Sequence, residues 1–229
     1  MITSNVIFRV FHVRVGGITG TAFAIENGSK EYLVTARHVV EHLVGINTIR
    51  LFQNSDWQAV QVTTVGHSDG DVDISVLGPE KPITTPNSRF ALPANSEGIT
   101  YGQDVYFLGF PLGINASILA HDESKFRPLP LVKRATLSMF PSDLLNFYLL
   151  DGHNNRGFSG GPVVFRPSPN ADFQVAAVVS AYQIEEEPVL HSTGAETGLH
   201  LQTNTGLIHA YDIKEAIKLI DANPIGCDL

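Results

Sequence analysis

Short apolar runs rich in Val, Ile, Phe, Tyr and Thr, bounded by Gly, Asn and Pro, recur along nearly the whole chain and leave little room for a long helix. They include NVIFRVFHVRV, GTAFAI, EYLVTA, TIRLFQ, AVQVTTVGH, DISVL, DVYFLGF, LVKRATLSMF, NFYLLDG, GPVVF and QVAAVVSAY. Branched and aromatic side chains fit a pleated surface, and the intervening glycines, asparagines and prolines supply turn conformations. About a dozen such runs without intervening helices predict an all-β antiparallel barrel or sandwich rather than a parallel sheet. The first run, within MITSNVIFRVFHVRVGG, is interrupted by Arg9, His12 and Arg14. It lacks the continuous apolar stretch of a signal peptide or membrane span and is read as a strand.

At 229 residues and 43% hydrophobic, the chain can bury a sizeable core as one domain made of two halves. The stretch GPEKPITTPNSRFALPANSEGIT carries four prolines and little apolar periodicity, so it reads as a surface connection over about residues 78–100. One half is then expected over about 1–77 and the other over about 101–211. The clearest helix is the last element: DIKEAIKLIDAN predicts a helix over about 212–222, with Asp212 as cap, Glu215 three residues on and Pro224 as stop.

A formal charge of −8 and no run of basic residues argue against nucleic acid as a partner, and nothing points to a membrane. The single cysteine, Cys227, cannot close an internal disulfide, so a reducing cytoplasm is the expected location.

Three segments carry chemistry in a fixed order: YLVTARHVV with His38, DVDISVL with Asp73, and RGFSGGPVV with Ser159. A serine hydroxyl is a weak nucleophile at neutral pH and needs a base that takes its proton and later returns it, which suits imidazole. The imidazole in turn needs a carboxylate to fix its tautomer and stabilise its cation. Asp73 is preferred over Asp69 and Asp71 because it directly precedes the apolar ISVL that would hold it against a strand.

The order His, Asp, Ser, with the GxSGGP and TAxH motifs, resembles the trypsin-like serine peptidases. In style it is most similar to the protease domain of the bacterial high-temperature-requirement type. The resemblance spans nearly the whole chain and implies two six-stranded antiparallel β-barrels followed by the C-terminal helix. It further implies a serine endopeptidase acting on polypeptides through an acyl-enzyme, with no metal or organic cofactor. His38, Asp73 and Ser159 would be catalytic, and the backbone N–H groups of Gly157 and Ser159 would hold the oxyanion. Ser180 would support the carboxylate. The pocket for the residue before the cut bond would lie between His153 and Arg156 on one side and the strand with Ser180 and Tyr182 on the other, with Gly206 at its back. An aspartate marks the pocket base in relatives that prefer basic side chains, and here that position is His153. Tyr182 stands where deep-pocketed enzymes have glycine. A shallow, mostly apolar pocket is therefore expected.

Secreted zymogens of this kind carry an aspartate just before the serine, where this chain has Phe158, so no ion pair with a cut N-terminus is expected. Activity would be constitutive or set by an activating or target protein. Because the chain ends at Leu229, one helix after the second barrel, no appended peptide-binding domain is expected. A competing motif, HVVEH over His38 to His42, matches a zinc-peptidase pattern. It requires a long helix, whereas the strand-like YLVTA precedes it and Gly45 follows, leaving space for one helical turn. The alternative from another class is a catalytically silent protease-fold module that grips a peptide or protein.

Overall fold

The computed structural model describes residues 1–84, 91–114, 116–119 and 126–229. Six strands, β1 (Val10–Val15), β2 (Ile18–Asn27), β3 (Lys30–Thr35), β4 (Ile46–Gln53), β5 (Asp56–His67) and β6 (Ser75–Pro79), build the first sheet. Pairing of β3 with β6 joins its two ends, and the C-terminal β15 (Cys227–Asp228) adds to β3 as a seventh strand. The second unit is a closed barrel in the order β10-β11-β14-β13-β12-β7. Its members are β7 (Asp104–Gly109), β10 (Leu131–Met139), β11 (Tyr148–Asp151), β12 (Pro162–Phe165), β13 (Gln174–Leu190) and β14 (Glu196–Asp212). β8 (Ala116–Leu119) and β9 (Phe126–Leu129) form a separate two-stranded sheet, with β9 near β4. Residues 85–90 of the expected connection lie outside the described residues.

Why the apolar runs are continuous instead of alternating follows from how the two barrels meet. Ala22 and Ala24 of β2 point into the first barrel, while Phe23 and Ile25 point outward into a second apolar cluster. In the same way Val163 and Phe165 of β12 fill the second barrel, and Val164 joins that shared cluster. Strands buried on both faces carry apolar residues at every position. The shared cluster takes Val34 and Ile74 from one barrel and Phe110, Val175 and Val178 from the other, so the interface between barrels is itself a core.

The N-terminal run differs from expectation. Ser4–Ile7 form one helical turn, α1, and the strand begins only at Val10. Short apolar runs suit either state, and the turn buries Val6 completely in the shared cluster. The C-terminal helix, α3, spans Lys214–Ala222. Asp212 remains the last residue of β14, and its carboxylate accepts the Lys214 N–H at 2.9 Å, the Ser96 hydroxyl and the Tyr148 hydroxyl. It thus serves the helix start from one position earlier than a formal cap.

Candidate active site

The interface between barrels brings the three chemistry-bearing segments together. His38 lies in α2 (Arg37–Val40), a single helical turn after β3. His42 falls beyond that turn, so the two histidines of HVVEH do not share a helix. Asp73 sits just before β6 and comes from the same barrel as His38. Ser159 lies in the loop before β12 and Ser180 within β13, both from the second barrel.

The Asp73 carboxylate is the hub. Its Oδ2 lies 2.7 Å from His38 Nδ1 and accepts the Ser180 hydroxyl at 2.6 Å, while Oδ1 accepts the His38 backbone N–H at 2.9 Å. Asp73 is largely buried, with 14% of its side chain exposed, whereas His38 presents 48% to solvent. A carboxylate at Nδ1 makes that nitrogen the N–H donor and leaves Nε2 as the free base. The Asp73 hydrogen bond raises the His38 pKa above its ordinary value, against the opposing effect of burial, with help from the charges of Asp73 and Glu41. Burial works against the charge of Asp73, but the hydrogen bonds from His38 and Ser180 outweigh it and hold its pKa below the ordinary value. Asp69 and Asp71 are exposed.

Ser159 donates its hydroxyl to the Ser180 carbonyl at 3.0 Å. The loop that carries it is pinned on every side. Gly160 N–H donates to Val179 O at 2.7 Å, Gly161 N–H to Phe158 O at 2.8 Å, and Thr21 N–H reaches Ser159 O at 2.8 Å. Three glycines leave no room for a side chain here, and a Cβ at Gly161 would collide with Leu108 O. Gly157 has φ of +106° and a Cβ there would collide with Phe110 O, while Gly160 has φ of +83° and a Cβ would collide with Thr21 O. The carbonyl of Arg156 is held by Leu112 N–H at 3.0 Å and that of Gly157 by the Thr21 hydroxyl at 2.7 Å. Phe158 O, which shares a peptide unit with the Ser159 N–H as Arg156 O does with that of Gly157, is held by Gly161 N–H at 2.8 Å, and the N–H groups of Gly157 and Ser159 have no protein acceptor among the described residues. Phe158, between those two donors, is fully buried in the second barrel against Phe107.

Sequence reasoning missed three residues. Thr21 clamps the serine loop to the first barrel and also accepts the Phe110 N–H at 3.1 Å. Lys133 donates to His153 O at 2.5 Å and Asn155 Oδ1 at 2.9 Å and lies 5.6 Å from the Phe158 ring centre, holding the loop from behind. Burial lowers its pKa. Asn154 is the buried polar residue next to His153, whose own side chain is exposed. Only Asn154 had a local signal, its place in GHNNRGFSGG. The roles of the others come from contacts across the barrels. Around the expected pocket, Asn154 O accepts from Asn204 at 2.7 Å and Gly206 O from Gly152 N–H at 2.8 Å, which brings residues 152–155 alongside the Ala181 and Gly206 stretches. Tyr182, half-buried, pairs with Ile208 at that rim.

Comparisons with known proteins give the family and the fold. A family model described as a trypsin-like peptidase domain matches residues 20–168, a span that takes in His38, Asp73 and Ser159. Among solved structures the chain is similar to the HtrA-type protease AlgW with tripeptide, at 19% identity and a TM-score of 0.60 over 96% of this chain and 61% of that one. It is also similar to the serine endoprotease from Yersinia pestis, at 18% identity and a TM-score of 0.58 over 97% and 67%. Deg5 matches at 16% identity and a TM-score of 0.57 over 93% and 88%. At such identities the likeness is one of fold, and the chain spans 61% of the AlgW length. No curated protein sequence matches it.

Proposed function

Because the chain belongs to the trypsin-like peptidase family, we propose that it is a serine endopeptidase that cuts polypeptides through an acyl-enzyme, with Ser159 as nucleophile. The observation that carries the proposal is the Asp73 hub, which ties His38 Nδ1 and Ser180 to one buried carboxylate beside Ser159. In the first half-reaction Ser159 Oγ attacks the substrate carbonyl carbon while its proton passes to His38 Nε2. The resulting oxyanion meets the N–H groups of Gly157 and Ser159, each donor being worth roughly 3 kcal/mol. His38 then gives its proton to the leaving amine as the C–N bond breaks. Water, deprotonated by His38, releases the acyl group and restores Ser159.

The present Ser159–Ser180 hydrogen bond is compatible with this path. A neutral hydrogen bond contributes only about 1 kcal/mol net, so turning the hydroxyl from Ser180 O toward His38 is a small cost beside the chemical barrier. That arithmetic argues against the silent binding module, which would need a blocked donor pair rather than a turned hydroxyl.

A peptide-library digest read by mass spectrometry tests the reaction and its pocket together. Cleavage is expected after small or medium apolar residues, graded because such side chains differ by only about 1–3 kcal/mol. It should persist in EDTA and stop with serine-directed inhibitors. Dominant cleavage after Lys or Arg would contradict the pocket, and loss of activity in EDTA would contradict the mechanism.

The pH profile carries a further expectation. His38 must be neutral to accept the serine proton, and its raised pKa keeps it protonated to higher pH. The acid limb of kcat/KM should therefore have its midpoint above the ordinary histidine value of about 6.5. Asp73→Asn should move that midpoint downward and lower kcat by about 10⁴. An unmoved midpoint would remove Asp73 from its assigned place.

A further inference from the structure

β13 and β14 continue far past the barrel. β12 pairs with β13 only as far as Val178, and β11 with β14 only over Leu207–Ala210. From Ile184 and its partner Asn204 outward no third strand pairs with the two among the described residues, and the ribbon runs to the opposed pair Leu190 and Glu196. At about 3.3 Å per residue it reaches roughly 26 Å from the barrel rim. An open strand edge is a template for another strand, here as far as Pro188, which has no N–H to donate.

The ribbon is not a generic edge. It is the direct continuation of the segment that places Ser180 beside Ser159. Between residues 182 and 206 it contains Glu185, Glu186, Glu187 and Glu196 and neither Lys nor Arg. The opposed pairs Glu185 with Thr203 and Glu187 with Leu201 set those glutamates on one face, and Glu186 opposite Gln202 lies on the other. All three glutamates are exposed, next to Leu199 and Leu201 at 65% and 58% exposure. A strand laid along β13 would thus meet a carboxylate whichever face its side chains took.

Building on the endopeptidase reading, we propose that the outer edge of β13 from Ile184 to Glu187, up to Pro188 with its missing N–H, binds the upstream part of the substrate as an added strand and selects basic side chains there. The pocket beside Ser180 and Tyr182 takes the residue before the cut bond, so strand positions farther from Ser159 face residues farther upstream. With one substrate residue opposite each strand residue, Glu185 to Glu187 face positions roughly six to eight before the cut. Cross-strand pairs of opposite charge stabilise and like charges destabilise, so three Lys in place of three Glu at those positions should raise kcat/KM about tenfold.

The test uses three quenched peptides around one cut site: a short one with three residues before the cut, and two with ten residues before it that carry Lys or Glu at the upstream positions. The ratio of kcat/KM for each long peptide to the short one is measured at low and high salt, for the native chain and for E185K/E186K/E187K. The Lys ratio should exceed the Glu ratio about tenfold, shrink with salt, and invert in the variant. Equal ratios, or a variant that leaves them unchanged, overturn the proposal. Fluorescence anisotropy of both long peptides on Ser159→Ala reads the ribbon without turnover. Tighter Lys-peptide binding with no hydrolysis of any peptide would retain the ribbon and sink the endopeptidase reading, whereas hydrolysis with equal ratios would do the reverse. Unchanged ratios together with loss of a dimer in the triple variant on sedimentation would assign the edge to a second copy and refute substrate binding.

Discussion

Ser159→Ala is expected to lower kcat by about 10⁵–10⁶ while leaving stability within about 1 kcal/mol of the native chain. The half-buried hydroxyl makes one hydrogen bond, to the Ser180 carbonyl, and the surrounding loop is held by backbone contacts that alanine keeps. His38→Ala should fall about as far, because a serine without its base and a base without its serine are equally idle. The double variant should be no worse than either single one, as groups acting in one proton transfer do not contribute additively. Kinetics of all three on one peptide check this, and additive losses would show that the two side chains do not act as a unit.

Phe158→Ala is expected to cost roughly 3–5 kcal/mol of stability, the range for emptying a fully buried aromatic site. Its ring closes the second barrel against Phe107 and sits close behind Gly109, where an added Cβ would meet it at 2.7 Å. The same residue separates the two N–H donors of Gly157 and Ser159, so a cavity here also loosens the turn that aims them. A displacement of about 1 Å at a reacting centre can cost about 100-fold, and that is the expected fall in kcat of the folded variant. Phe158→Leu, which refills most of the volume, should recover most of both losses. Denaturant unfolding and kcat measured at a temperature where each variant is folded separate the two effects. Loss of stability without loss of kcat would make Phe158 a core residue alone.

The strands were legible in the sequence wherever side-chain pattern and punctuation agreed. GTAFAI, EYLVTA and GPVVF carry apolar residues at successive positions because both faces are buried, with Thr21, Glu31 and Thr35 as buried polar exceptions. The outer halves of β13 and β14 carried no such signal. EEEPVL and HLQTNTG lack alternation because both faces of the ribbon are solvated, and only their mutual pairing makes them strands. α1 was hidden for the opposite reason, since SNVI is apolar enough for either state and the burial of Val6 decided it.

At the site, the residues named from sequence are those whose chemistry is written into a local motif: His38 in TARH, Ser159 in GFSGG, Asp73 at the head of ISVL. Thr21 and Lys133 had no such mark. Thr21 meets Gly157 across 136 residues of chain, and Lys133 reaches the loop from a neighbouring strand. Their functions exist only once the two barrels are packed, which no local pattern reveals.

Reaction of the intact chain with a fluorophosphonate, followed by mass analysis and peptide mapping, tests Ser159 as an activated nucleophile most directly. One adduct is expected, on Ser159, absent from Ser159→Ala and formed far more slowly in His38→Ala. A folded native chain in which Ser159 stays unlabelled, or labels no faster than in His38→Ala, would contradict the assignment.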